Sequence, residues 1–181
     1  MKKIANILIF GFLIFNLTSC KTTKEKETEN SIYDAPKVEF DLGENSFPKL
    51  KREVSDYEFI FTLEELKRLT LIIREFEKNT SNQIAIVSIK SIGEYSDFDK
   101  YAIDLSNYAG IGLKEKNNGL SIVFSKELKR IRISTGTGIE KILTDEICKK
   151  IIDEKIIPEF KKGNYYFGIE NGLLELIDKW K

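Results

Sequence analysis

The order of apolar periodicities predicts a three-layer α/β sandwich, a small mixed β-sheet covered by helices on both faces. Three observations predict it. A β-branched run, Gln83–Ile92, is followed by a helical pattern and then by a second strand-like run at 119–125, the order of a βαβ unit. Alternating residues 129–135 lie one short turn beyond that run and give it an antiparallel partner. Four segments with helical spacing surround the strands, enough to cover both faces of so small a sheet. The predicted order is α-β-α-β-β-α-α, without an internal repeat.

The first helix is marked by Thr62-Leu-Glu-Glu65, a capping box in which Thr62 caps and Glu65 closes. Leu66, Leu69, Ile73 and Phe76 follow on one face, and Asn79-Thr-Ser-Asn82 stops the helix. The Gln83–Ile92 strand comes next. Ser96 or Asp97 opens the second helix, with Phe98, Tyr101, Ala102, Leu105 and Tyr108 on one face, and Gly110-Ile-Gly112 breaks it. A polar loop, 114–118, leads into the strand Gly119–Ser125. Parallel pairing with a right-handed crossover is expected for the βαβ unit. Lys126-Glu127 forms the turn, and Gly136-Thr-Gly138 ends the return strand. Thr144 and Asp145 start the third helix, with Ile147, Cys148, Ile151 and Ile152 apolar and Pro158 expected to stop it. Gly163-Asn164 begins the last helix, with Tyr166, Ile169, Leu173, Leu176, Ile177 and Trp180 inward.

The N-terminus reads as an address. Lys2 and Lys3 precede an apolar run, Ile4–Leu17, which is short for a membrane span and suits a signal h-region. Leu17-Thr-Ser-Cys20 ends it in the manner of a bacterial lipobox, with cleavage before Cys20 and acyl chains such as palmitate on that cysteine. Residues 1–19 are thus expected to be a lipoprotein signal peptide. Residues 20–50 are read as the lipidated cysteine and a flexible tether, since 21–30 holds no apolar residue to repay ordering; the scattered apolar groups of 31–50, Phe47 among them, are expected to drape over the domain without forming a long element. The folded domain is expected over 51–181. Cleavage removes Lys2 and Lys3 and tips the balanced charge to slightly acidic. The expected location is the cell envelope, on a bacterial membrane with the domain outside the cytoplasm.

Composition narrows the chemistry. The 181 residues carry 29 basic and 29 acidic side chains, two cysteines and no histidine. Histidine-dependent triads and histidine metal ligands are excluded; proton transfer needs Asp, Glu, Lys, Tyr, Cys or water, and a metal needs oxygen donors. The balanced charge argues against a nucleic-acid partner. Gly136-Thr-Gly138 lacks the third glycine of a dinucleotide fingerprint, and neither a phosphate loop nor a Gly-x-Ser-x-Gly elbow occurs. Cys148, on an apolar helical face, reads as core. What remains is polar residues at loop ends: Val54-Ser-Asp56, Asn117-Asn-Gly119, Gly138-Ile-Glu140 and Leu143-Thr-Asp145. Each also has a plain structural reading, as a turn, a helix cap or a solvated surface group.

These pieces, with Gln83-Ile-Ala-Ile-Val87, Tyr101-Ala102, Gly110-Ile-Gly112, Ile157-Pro-Glu-Phe160 and Gly163-Asn-Tyr-Tyr-Phe-Gly168, stand in an order that resembles the TPM domain family (thylakoid lumen, phosphatase and membrane proteins) over about Val54 to Trp180. The resemblance implies an α/β sandwich on the far side of a membrane. It also implies, by different members, calcium binding, hydrolysis of phosphate esters, or assembly and repair of membrane complexes. Asp56, Asn118, Glu140 and Asp145 match the family's polar positions and are the candidate ligands for Ca²⁺ or Mg²⁺, provided the loops converge. The chain departs from the pattern at Asn117, where Asp is usual, at Ala109, where Trp is frequent, and at Glu58, usually a small residue. No nucleophile is marked by context. The leading expectation is therefore a non-catalytic, membrane-anchored lipoprotein that supports or contacts an envelope protein complex, with a divalent cation as an accessory. The alternative is a metal-dependent phosphatase acting on small phosphate esters.

Overall fold

The structure is a computed structural model, and it describes residues 47–51 and 53–180. The signal peptide, Cys20 and most of the tether lie outside the described residues. The elements are β1 (Val54–Asp56), α1 (Leu63–Thr80), β2 (Gln83–Ser88), α2 (Phe98–Ala109), β3 (Gly119–Ser125), β4 (Arg130–Thr135), α3 (Asp145–Ile151), a π-helical turn (Ile152–Ile156), α4 (Ile157–Lys161) and α5 (Tyr165–Lys179). The α/β expectation holds: four strands form one mixed sheet in the order β1-β2-β3-β4. The first three strands run parallel, and β3 and β4 form the antiparallel hairpin.

Alternation along the strands builds two cores. Ile84, Ile86, Leu120, Ile122, Phe124 and Ile133 face the larger one, shared with Leu69, Ile73 and Phe76 of α1 and Ile169, Leu173 and Leu176 of α5. Val87 and Val123 face the other side, under Phe98, Tyr101, Ala102 and Leu105 of α2. Burying each of these aliphatic side chains contributes about 1.5–3 kcal/mol. The capping box starts α1 as read: the Thr62 hydroxyl accepts from the Glu65 N–H, and the Glu65 carboxylate accepts from the Thr62 N–H at 2.7 Å. Two arginines fasten α1 to its neighbours. Arg68 donates to the buried Glu170 of α5 at 2.5 Å, and Arg74 to the buried Glu53 at 2.7 Å.

Four expectations are corrected. Val54–Asp56 is a fourth strand, paired in parallel with Ile86–Ser88; three residues are too few to show a period. The strand read as Gln83–Ile92 ends at Ser88. Ile89 is 1% exposed and its N–H still bonds the Phe124 carbonyl of β3 at 3.0 Å, but the ladder goes no further, so the rest of the β-branched run lies beyond the strand. Tyr108 is half-exposed, not inward, and caps the edge of the smaller core by meeting the ring of Phe47 at 5.4 Å. Phe47 is buried against Tyr95 and Tyr101, so this end of the 20–50 segment packs on the domain.

Pro158 does not stop the third helix. The helical path widens into the π turn at Ile152–Ile156, where the Ile157 N–H bonds the Ile152 carbonyl, and α4 continues past the proline. A proline ring clashes with the carbonyl four residues back and offers no N–H; a wider turn just before it relieves both problems.

Candidate functional site

The four candidate residues fall at opposite ends of the sheet. Asp56 pairs with Ser88 at the C-terminal ends of β1 and β2, while Gln83 at the start of β2 pairs with Gly119 at the start of β3. Five residues of strand separate the two ends, about 16 Å at the usual rise. Asp56 therefore does not share a centre with Asn118, and the expected convergence of the four does not occur. Among the described residues no group of three or more His, Cys, Asp or Glu side chains stands close enough to hold a metal ion. The four-ligand cation site does not fit this structure.

Asp56 has a local job. One carboxylate oxygen accepts from the Phe61 N–H at 2.8 Å, and the other accepts from the Ser88 hydroxyl. The same Ser88 hydroxyl accepts from the Glu58 N–H at 3.1 Å, so these residues hold the turn between β1 and α1. Asn118 is 4% exposed and equally engaged. Its amide oxygen accepts from the Leu113 N–H at 2.9 Å; its NH₂ donates to the Ser81 carbonyl at 2.8 Å and to Asn82 at 2.9 Å. It ties the loop before β3 to the loop before β2.

Glycines press these loops together. A Cβ on Gly119 would lie 2.0 Å from the Ile111 carbonyl oxygen, and one on Gly138 would lie 1.9 Å from the Lys116 carbonyl oxygen. Backbone meets backbone there, and no side chain has room. The Gly138 N–H bonds the Asn117 carbonyl at 3.1 Å, and the Gly136 N–H bonds the Gly119 carbonyl at 2.8 Å.

Beside this junction, between α2 and the paired strands, opens a pocket of about 220 Å³. Glu140 and Asp145 line it, so the structure brings these two of the four together. Ser106 of α2 faces Ser121 of β3 with their hydroxyls 2.6 Å apart. Arg132 and Ser134 of β4 also line it, and the Arg132 Nε and Ser134 Oγ are buried without a hydrogen-bond partner. A buried orphan donor is costly in a fold and points to a site that takes a polar ligand.

Sequence reasoning missed Arg132, Ser106, Ser121 and Ser134. A signal was there: in Arg130–Thr135 the apolar residues are Ile131 and Ile133, so Arg132 and Ser134 share the opposite face of one strand. Cys148, near Asp145 and Arg132, is no nucleophile. Burial, with the Asp145 charge second, pushes its thiol up to about 11, and it donates to the Leu143 carbonyl. No helix among the described residues is long and apolar enough to cross a membrane.

Comparison with known proteins agrees with the architecture. The TPM domain family model matches residues 54–179. The solution structure of the N-terminal domain of a P. gingivalis protein is similar at 28% identity and TM-score 0.65, over 71% of this chain and 81% of that one. The BA42 protein of the psychrophile Bizionia argentinensis is similar at 27% identity and TM-score 0.59, over 69% of this chain and 88% of that one. The N-terminal domain of a Corynebacterium glutamicum protein shares the fold alone, at 13% identity and TM-score 0.56, over 74% and 84% of the two chains. No curated protein matches the chain.

Proposed function

Because the chain belongs to the TPM domain family, we propose that it is a lipid-anchored module of the bacterial envelope that binds a partner complex and carries out no chemistry of its own. The observation behind the non-catalytic part is the use of the polar residues. Asp56 and Asn118 hold loops in place with every strong acceptor or donor engaged. What stays open is a polar pocket with two unpartnered atoms, a feature suited to recognition. The anchor rests on Lys2, Lys3, the apolar run and Cys20, through which acyl chains hold the protein at the membrane. A divalent cation, Ca²⁺ or Mg²⁺, belongs to the proposal only at the pocket carboxylates Glu140 and Asp145, with waters completing its shell.

Metabolic labelling with a palmitate analogue tests the anchor. Label and membrane association are expected in the native chain and expected to vanish in Cys20→Ser; a Cys20→Ser chain that keeps its label sinks this part. Affinity capture of the membrane-extracted protein tests the module. A specific envelope complex is expected to co-purify with the native chain and to be lost on Arg132→Met.

One observation favours the second reading, a metal-dependent phosphatase acting on small phosphate esters: a guanidinium in a serine-lined pocket suits a phosphoryl group. Hydrolysis of p-nitrophenyl phosphate with added Ca²⁺ or Mg²⁺, abolished in Glu140→Gln and Arg132→Met, would establish it over the first.

A further inference from the structure

The end of the sheet opposite the pocket carries a different surface. There the β3–β4 turn, the β1–α1 loop and the start of α5 meet. The Glu58 carboxylate accepts from the N–H groups of Lys126 and Glu127 at 2.8 and 3.0 Å, fixing loop to turn. The Lys126 ammonium sits over the Tyr165 ring, 5.5 Å from its centre.

Four large apolar side chains project from these segments. Leu63 is 67% exposed, Phe59 58%, Phe167 55% and Leu128 39%. Phe59 is held outward at a φ of 53°, a left-handed conformation that disfavours any residue with a Cβ. Among the described residues no ring contact of Phe59 accounts for an aromatic side chain presented to solvent at that cost.

Cations accompany them. Beside the turn lies a groove of about 420 Å³, floored by Ile131, Ile157, Phe160 and Tyr165 and edged by Lys129, Arg130 and Lys161, with no acid in its lining. The acids on the same end are mostly engaged. Glu58 holds the turn, Glu64 pairs with Lys67 at 2.8 Å, and Glu159 pairs with Lys162 at 2.6 Å; Glu127 is exposed. Among the described residues Lys126, Lys129 and Lys161 have no carboxylate partner.

We propose that this end docks the domain onto an anionic lipid surface, with Phe59, Leu63, Leu128 and Phe167 entering the headgroup boundary and Lys126, Lys129 and Lys161 contacting lipid phosphates. Protruding apolar tips ringed by lysines fit a plane of anionic headgroups. The docked end lies across the sheet from the pocket of Arg132 and Glu140, which is left facing away from the bilayer.

The test uses the full chain reconstituted in vesicles, with Phe167→Trp as reporter and brominated phospholipid as quencher. Trp180, 6% exposed and at the other end of α5, provides the unquenched reference in the native chain. On vesicles containing phosphatidylglycerol, the emission added by Phe167→Trp is expected to shift to the blue and to be quenched. Adding Lys126→Gln, Lys129→Gln and Lys161→Gln is expected to lower the docked-to-undocked ratio about a hundredfold. No quenching overturns the proposal and leaves the patch to a protein partner. So does quenching that is equal on phosphatidylcholine alone, or unmoved by the three substitutions. A Leu71→Trp reporter, on an exposed part of α1 away from the patch, is expected to stay unquenched, and its quenching counts against docking by this end. Lipidation at Cys20 is read separately by palmitate labelling, so either claim can fail without the other.

Discussion

The two ends of this sheet carry similar residue types and use them in opposite ways. At the C-terminal ends of β1 and β2, Asp56, Ser88 and Glu58 satisfy one another and the backbone, and they order a loop and a turn. At the other end, glycines bring three loops into backbone contact, and the strand residues beside them keep unanswered donors at Arg132 and Ser134. A carboxylate at a loop end is therefore not a ligand by virtue of its type. What distinguishes a site is hydrogen-bonding capacity left over after the fold has formed.

The largest expected effect tests the glycine junction. Gly138→Ala is expected to destabilise the protein by about 3 kcal/mol or more, because neither backbone segment can yield. Gly93→Ala, where a Cβ meets open space at a φ of 58°, is expected to cost only about 1 kcal/mol. Urea midpoints for the two variants check this, and equal midpoints would remove the interlock from the comparison.

Asp56 against Glu140 sharpens the contrast between ends. Asp56→Ala leaves the Phe61 N–H and the Ser88 hydroxyl without their acceptor and is expected to cost about 2 kcal/mol. Glu140, exposed at the pocket mouth, is expected to change stability by less than about 0.5 kcal/mol when replaced by Gln. Thermal unfolding of both variants reads the difference; the reverse ranking would make Asp56 the better functional candidate.

Arg132→Met asks whether the pocket serves the fold. The Arg132 Nε is unpartnered and its Nη1 makes only a long ion pair with the half-exposed Asp99 at 3.7 Å, so the loss of the guanidinium is expected to cost less than about 1 kcal/mol. A loss of several kcal/mol in the unfolding free energy would mean that the arginine is structural.

The smallest effect concerns pH. The Cys148 thiol is raised in the folded state from an ordinary value near 9 to about 11. Between those values the native state binds more protons than the unfolded one, so the thiol's contribution is complete below about pH 9 and is lost as pH rises towards 11. Cys148→Ala is expected to flatten that part of the stability curve, as measured by denaturant titration across the window.

Much of the fold was legible because the signals were local. The Thr62–Glu65 box, the period of α1, the cap at Asp97, the limits of Gly119–Ser125 and the hairpin all depend on neighbours within a few residues. The misreadings were of another kind. Val54–Asp56 is a strand only because β2 lies beside it, and Pro158 continues a helix only because the preceding turn widens. Of the candidate ligands, Glu140 and Asp145, picked out by resemblance as the acid after the Gly-x-Gly turn and the acid at the next helix start, line one pocket. Asn118 and Asp56 were misjudged because their partners, Ser81 and Leu113 for one and Ser88 and Phe61 for the other, come from separate elements.

The sequence by itself determined the class of fold, its family, the exclusion of histidine chemistry and the placing of Cys148 in the core. Composition and short-range periodicity carry that information because burial and capping act over one or two turns of chain. Only the tertiary structure decided which polar groups remain free. A hydrogen bond across 32 residues, such as Ser88 to Asp56, or a contact between the backbones of Gly138 and Lys116, has no local signature. Whether a side chain is scaffold or site depends on such partners, and the folded chain alone brings them together.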